Sequence, residues 1–522
     1  MTKILRAAVA TALVAVAIIV LAACGSTSGG SGTDTATLAP ASSFLYAEAT
    51  IDPSGSQQSA MRSILGDLPG SGAPEQRLNN LLEQASKADK TGKVDYAQDI
   101  QPWLGDKAAL FVAPPAASRT VPPFAVLLAT TDESKAQDAI DKAREAGDRK
   151  KSYRGSDYLV DKSGNAAVAT LNGFVVLGSE AGVKSAVDVS KNSANSLSQS
   201  DRFKQASKNA NSDRVGLVYE DIGGLIQTAM QASGQSLGPV APMIGRMFGG
   251  DPAVATIRAE NQALVIDGSL FPSSSMLKAS SRTTPLLGDV PANSWLALGQ
   301  ADFGGVVKQL IGLVAGAVGG QQALEQQLRG ATGLDLSKDL LSWIGDVAIF
   351  VNGDSKQTIG GGLLIQSKDP AASRAALTKL AALVARSSGG SRVSAAHFGS
   401  ASGYRMQTGG APRGIYMLQS GDRVALTYGE SAARSALNGS GGGLTGAPGF
   451  SGAAGKLGGA YSPSMYVSVP PILRLADSFG ATGAGWAKAK PYVSILDYLV
   501  AGSATSGKTA LSRMRIGFKP HD

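Results

Sequence analysis

The sharpest chemical pattern in the sequence is "GSATSGKT", Gly502 to Thr509, which fits the GxxxxGK[ST] loop that cradles phosphate with backbone N–H groups. Such a loop needs a strand before it and a helix after it, so that the amides and the helix dipole converge on one anion. Here the residues that follow alternate as a strand, and the chain ends 13 residues beyond Thr509. The segment therefore reads as a hairpin turn. "SMLK", Ser275 to Lys278, has the SxxK spacing by which a lysine activates a serine, but it sits in a polar linker rather than at the start of a buried helix. The chain has two histidines, His397 and His521, and neither lies in a recognisable Ser/Asp context.

Four acids have more to offer. Asp95 and Asp99, like Asp335 and Asp339, are four residues apart. On a helix each pair shares a face and repels by a few tenths of a kcal/mol, roughly, unless a cation such as Ca2+ sits between the carboxylates. The EF-hand spacing is absent, and each Asp equally suits a cap or turn. A second possible ligand site is "VAPMIGRMFGG", where Met243 and Met247 fall at helical spacing with Ile244 and Phe248. Such a face accommodates a hydrophobic ligand or packs as core. No metal site and no cofactor are called for.

These residues sit in a chain of 522 with 43% hydrophobic and 17% charged content, which excludes wholesale disorder and implies two or more domains. The 65 glycines follow no three-residue period, so collagen is excluded. One cysteine makes no internal disulfide, and two histidines leave little for His-based catalysis. Most Cys- and His-dependent enzyme classes are thereby disfavoured, and a non-enzymatic protein is expected.

The N-terminus carries an address. Lys3 and Arg6 precede an uncharged apolar run of 17 residues from Ala7 to Ala23, closed by "LAAC" at Leu21 to Cys24. This is a signal peptide over residues 1–23. Its end resembles the bacterial lipoprotein signal, in which the cysteine is lipidated and becomes the first mature residue; Cys24 fills that place. Residues 24–39, rich in Gly, Ser and Thr, read as a flexible tether. Loss of Lys3 and Arg6 leaves 46 basic residues against 40 acidic, a formal charge of +6. The excess is mild, compatible with anionic head groups or wall polymers as partners alongside an envelope protein. Nucleic acid is not an expected partner, because the basic residues are dispersed. The densest cluster, Arg149, Lys150, Lys151 and Arg154, is expected to close a helix as a solvated last turn. The expected location is the extracytoplasmic face of the cell membrane, reached through the lipid.

The mature chain contains an internal repeat. "DYAQDIQPWLGDKAALFV" from Asp95 aligns without gaps to "DLSKDLLSWIGDVAIFVN" from Asp335, pairing Asp99 with Asp339, Trp103 with Trp343 and Gly105 with Gly345. Flanking blocks agree in order, including "GFVVLGSEAGVKSAV" at Gly173 with "DRVALTYGESAARSAL" at Asp422. Repeat 1 is set at 40–271, a linker at 272–284 and repeat 2 at 285–520. Each repeat reads as α+β: strands at Lys107 to Ala113, Pro123 to Thr130 and Gly173 to Gly178 alternate with amphipathic helices near Glu75 to Lys87 and Asp132 to Ala146. Adjacent strand pairs, one turning at Asn172-Gly173, favour hairpins. Two antiparallel sheets, each with helices on one face and related by a pseudo-two-fold, are expected.

The opening "LAPASSFLYAEATIDPSGSQQSAMRSIL" and the "DYAQDIQPWLGDKAALFV" block resemble actinobacterial members of domain-of-unknown-function family 3352, which are commonly membrane-anchored or lipoproteins. The resemblance covers most of the mature chain and transfers no catalytic or binding residue. The expected function is a binding or scaffolding module of the bacterial envelope. The alternative is a carrier for a lipid or other hydrophobic ligand between the repeats, at the Met243/Met247 face. Cys24→Ala is expected to abolish incorporation of radiolabelled palmitate and to move the protein out of the lipid-anchored membrane fraction.

Overall fold

A computed structural model describes residues 34–51, 53–66, 96–115, 122–144, 147–208, 210–221, 252–270, 286–315, 325–327, 329–330, 333–387, 392–408, 411–437, 443–481, 483–506 and 509–520. The chain divides into two compact units: the described residues before Phe271, with Pro520, belong to unit 1, and those from 286 to Lys519 to unit 2.

Unit 1 runs β1 (Leu45–Thr50), α1 (Gly55–Gly66), a single π-helical turn (Tyr96–Ile100), β2 (Leu104–Val112), β3 (Phe124–Thr130), α2 (Glu133–Ala143), β4 (Arg149–Tyr153), β5 (Ser156–Val160), β6 (Ala167–Leu171), β7 (Phe174–Gly178), α3 (Glu180–Lys191), α4 (Asp201–Ser207), β8 (Gly216–Glu220), β9 (Ala253–Glu260) and β10 (Ala263–Leu270). Every ladder is antiparallel, in the spatial order β4-β5-β6-β7-β3-β2-β1-β8-β9-β10. The β6–β7 turn is made by Asn172 and Gly173 at φ +49° and +81°. Positive φ at both positions is what a tight two-residue hairpin requires, and Asn-Gly supplies it at least cost.

Unit 2 runs α5 (Leu286–Asp289), β11 (Ser294–Gln300), α6 (Phe303–Ala315), a π-helical turn (Leu336–Leu340), β12 (Ile344–Asn352), β13 (Gly360–Ser367), α7 (Pro370–Ser387), β14 (Arg392–Phe398), β15 (Ala401–Thr408), β16 (Ala411–Ser420), β17 (Arg423–Tyr428), α8 (Glu430–Leu437), α9 (Pro448–Gly455), β18 (Ser462–Ser468), α10 (Val469–Ser478), α11 (Ala484–Ser494), β19 (Leu496–Ser506) and β20 (Thr509–Phe518). Its ladders run β14-β15-β16-β17-β13-β12-β11-β18-β19-β20, again all antiparallel. This is the strand order of unit 1 repeated position for position, with a π-helical turn before the second strand of each.

Helices cover both faces of each sheet, not one. In β3 and β7 neither face is polar, so alternate residues face different helices. Leu127 and Val176 meet Val183, Ala186 and Val187 of α3. Their neighbours Leu128 and Val175 meet Ala136, Ala139 and Ile140 of α2, together with Trp103. Unit 2 repeats the arrangement, with α8 against Phe350, Leu364 and Ala425, and α7 against Ile365, Met417 and Val424. Phe111 and Phe174 are completely buried in unit 1 and Phe350 in unit 2; each such side chain stabilises by about 1.5–3 kcal/mol relative to exposure.

Two further differences from the sequence reading have local causes. The fold begins within the expected tether: Asp34 caps a 3-10 turn (Thr35–Thr37), and Thr35, Ala36, Leu38 and Ala39 are buried. Thr35 satisfies its hydroxyl against Tyr46 at 2.6 Å and Glu48 at 2.8 Å, so a polar-looking stretch becomes core. The basic cluster Arg149, Lys150 and Lys151 lies on strand β4, not on a helix end, with Arg154 in the β4–β5 turn at φ +48°. Among the described ladders β4 pairs only with β5. Lysines on such a strand discourage pairing with another chain.

Close packing of α3 on β3 leaves no room at Gly182, where an added Cβ would lie 2.0 Å from the Phe124 carbonyl oxygen. Gly182→Ala is expected to cost about 1–3 kcal/mol in urea unfolding followed by circular dichroism. Gly446→Ala, where nothing lies within 4 Å, is expected to leave the transition within experimental scatter.

Candidate functional site

Asp99, Asp335 and Asp339 are each bonded to groups of the chain itself. Asp335 caps the π-helical turn of unit 2, accepting the Lys338 N–H at 2.9 Å, and its own N–H donates to Asp339 at 2.9 Å. The Asp339 N–H in turn donates to the Asp335 carbonyl at 2.7 Å, so backbone groups of the turn hold both acids. Arg329 also pairs with Asp335, and Lys379 of α7 donates to Asp339 at 2.7 Å. The Lys338 N–H, then Arg329, holds the Asp335 carboxyl below its ordinary range. The Asp335 N–H, then Lys379, does the same for Asp339.

Unit 1 repeats the tie. Lys142 of α2 donates to both Asp99 oxygens at 2.7 and 2.6 Å. Trp103 and Trp343 are buried, and each indole N–H donates back to the carbonyl four residues earlier, Asp99 at 2.6 Å and Asp339 at 3.0 Å. Each tryptophan carbonyl accepts an N–H from the residue just past β3 or β13, Thr131 at 2.8 Å and Lys368 at 2.7 Å. Asp95, Met243 and Met247 lie outside the described residues, as do Cys24, the linker, the Ser275–Lys278 motif and His521. His397 is exposed on β14, opposite Ser402. Gly502 to Ser506 belong to β19 and Thr509 opens β20, with Ser506 paired to Thr509, so no helix follows the glycines. Among the described residues no group of three or more His, Cys, Asp or Glu is placed to hold a metal ion.

A second repeated cluster was not singled out from the sequence. Glu180, at the start of α3, receives Lys184 at 2.9 Å, Lys151 at 3.0 Å and the Tyr158 hydroxyl at 2.8 Å. The Lys184 bond leads the effects that lower its pKa to about 2, with Lys151 and Tyr158 adding to it against the cost of burial. Glu430 of unit 2 binds Arg434 at 2.7 Å, with the Tyr416 hydroxyl 3.5 Å away. The signal was present in the aligned "GSEAGVK" and "YGESAAR", both with an acid and a cation four apart.

The two units differ most where α2 and α7 end. Both helices start on an aspartate: Asp132 accepts the N–H groups of Ser134 and Lys135, both at 3.1 Å, and Asp369 those of Ala371 and Ala372 at 3.0 and 2.9 Å. Lys142 and Lys379 follow at the same spacing, so Ile140 corresponds to Leu377 and Ala143 to Leu380. Helix α2 stops after 11 residues, while α7 continues to 18. The difference is about 10 Å of helix. In unit 2 the extra length packs Ala381 and Val384 over Tyr404, Met417 and Leu426.

In unit 1 the corresponding row, Leu159, Val168 and Leu177, pairs in the same register and has no such cover among the described residues. With Ile140 and Ala143 it forms the floor of a cavity of about 230 Å³. Leu177 is 38% exposed, one of few large apolar side chains so placed among the described residues. The lip carries Arg144, Asp148 and Asp161. Asp148 accepts the Lys162 N–H at 3.1 Å, and Asp161 those of Asn165 and Ala166 at 2.8 and 3.1 Å. This apolar groove with a charged lip is the candidate site. It was not read from the sequence, where the helix near Asp132 was carried on to Ala146.

Residues 4–402 match the family described as "Protein of unknown function (DUF3352)". The chain belongs to the DUF3352 family. No curated protein matches this DUF3352 chain by sequence. Among solved structures it is similar to crystal form III of TP0453, at 13% identity and a TM-score of 0.25, over 46% of this chain and 81% of that one. Crystal form I of TP0453 gives 10% identity and a TM-score of 0.23, over 47% and 81%. Scores this low establish no common fold. Among the described residues no helix of this DUF3352 chain is long and apolar enough to cross a membrane.

The Asp339–Lys379 tie sets a pH dependence. The folded-state pKa of Asp339 lies below its ordinary value, so its stabilisation is present above that value and is lost as pH falls through the folded pKa. Lys379→Met is therefore expected to lower the thermal midpoint at pH 7. The gap to the parent should close as the melts are taken to pH values below the ordinary aspartate range, where Asp339 is protonated.

Proposed function

We propose that this DUF3352 chain is a non-enzymatic binding module of the bacterial cell envelope, anchored on the outer face of the membrane through lipid on Cys24. In this reading it arose by tandem duplication, and it belongs with the actinobacterial lipoproteins that its opening and Trp-Gly-Asp blocks resemble. The identical ladder order of the units and the paired Asp–Lys–Trp ties support the duplication.

The observation that carries the binding reading is the difference at the end of α2. One sheet position is sealed by the chain's own helix in unit 2 and left as an apolar groove in unit 1. A groove of this kind takes a ligand by excluding water from aliphatic surface. The non-enzymatic reading is supported by how the repeated ionisable groups are used: Asp339 and Glu180 are each bonded to cations of the chain itself. The carrier alternative at Met243 and Met247 falls outside the described residues, and the groove adds Leu159, Val168 and Leu177 as another place for a hydrophobic ligand.

Photo-crosslinking in intact cells tests the site. Benzoylphenylalanine in place of Leu177 is expected to give a discrete adduct in the envelope fraction, whose mass separates lipid from protein. The same residue in place of Leu426, the covered counterpart, is expected to give none. Equal absence of adducts at both positions would remove the groove from the function.

A further inference from the structure

The groove reading above can be taken further, to the kind of partner. We propose that the unit 1 groove docks the apolar face of a helix from a partner protein, which supplies the cover that α7 supplies to itself in unit 2.

Three observations lead there. The first is the register-matched template: Leu159, Val168 and Leu177 correspond to Tyr404, Met417 and Leu426, and the latter three are covered by a helical step, Ala381 and Val384, three residues apart. Residues three or four apart lie on one face of a helix, so a single turn presents both side chains together. The second is size. A cavity of about 230 Å³ falls below the roughly 300–1,000 Å³ of small-molecule sites, yet it has room for the side chains of one helical turn. The third is charge. Asp148 and Asp161 on the lip are each held by backbone N–H donors, with Arg144 beside them. A basic residue shortly after the apolar step would meet this lip, and α7 itself carries Arg386 two positions beyond Val384. Helix-in-groove recognition is read through such spaced anchors.

The probe is a fluorescein-labelled peptide of residues 370–387, the sequence of α7, titrated with the chain from residue 25 onward and followed by fluorescence anisotropy. Saturable binding is expected. Leu177→Asp in the protein, or Leu380→Asp with Val384→Asp in the peptide, is expected to abolish it. Ala143→Leu places in unit 1 the side chain that unit 2 carries at Leu380. It fills the groove without adding charge and is expected to weaken binding by about tenfold or more. Circular dichroism and thermal midpoints identify any variant that fails to fold, and Ala143→Leu keeps the test decisive if Leu177→Asp is one of them.

Absence of saturable binding, or binding that neither protein variant changes, would overturn the helix inference. In a parallel titration, decanoate replaces the peptide as a single alkyl chain. If decanoate binds in a Leu177-dependent way and the peptide does not, the helix inference fails while the wider binding reading stands. A crosslinked lipid at Leu177 in cells would overturn the helix inference in the same way.

Discussion

Each unit depends on one buried tryptophan whose indole N–H and backbone carbonyl are both hydrogen-bonded. Trp103 and Trp343 turn their indole N–H groups back to the carbonyls of Asp99 and Asp339, and offer their own carbonyls to the residue just past β3 or β13, the second strand after each. A large aromatic ring is thereby buried with no unpaired donor, which burial demands. The aspartate whose carbonyl takes the indole also holds a lysine from the helix after that strand. The π-helical turn, two strands and the helix are thus fastened at one point. The start of α2 or α7 follows from that point, and so does everything the helix covers or leaves open.

Much of this was legible in the sequence because it is written twice. Two tryptophans in register, with Gly-Asp behind each, located the fastening, and the Val/Leu/Ile runs gave β2, β3 and β7 within a few residues. Asn172-Gly173 identified its hairpin because few residue pairs tolerate two positive φ values in succession. The chemistry assigned to the acids was less legible. Spacing of four suggested a shared helix face, whereas the backbone N–H of Asp335 and the ammonium groups of Lys142 and Lys379 come from directions that spacing does not encode.

Other features were hidden for identifiable reasons. Thr35 to Ala39 look like tether because their composition is polar and small, yet the Thr35 hydroxyl finds Tyr46 and Glu48 across the fold. Burial of a short polar segment depends on tertiary partners. Arg149 to Arg154 follow a helix in sequence, and their place on a strand reflects pairing with β5, which their own propensity does not announce. Helices on both faces were missed because β3, "FAVLLAT", is apolar at every position but the last, and such a strand has no face that composition can assign to water. The groove is a difference between the two units, visible only when both helices are measured against their own caps.

The helix-length difference also bears on how such a chain changes over time. Adding or removing two turns at the end of α2 or α7 is one short insertion or deletion in the gene, and it touches no ladder of the sheet and neither fastening. In a chain whose two units share one ladder order, such an event changes what one helix covers and leaves the strands alone. The unit with the long helix seals its own sheet face, while the rim of the shorter one is free to vary in sequence without disturbing the strand order both units share.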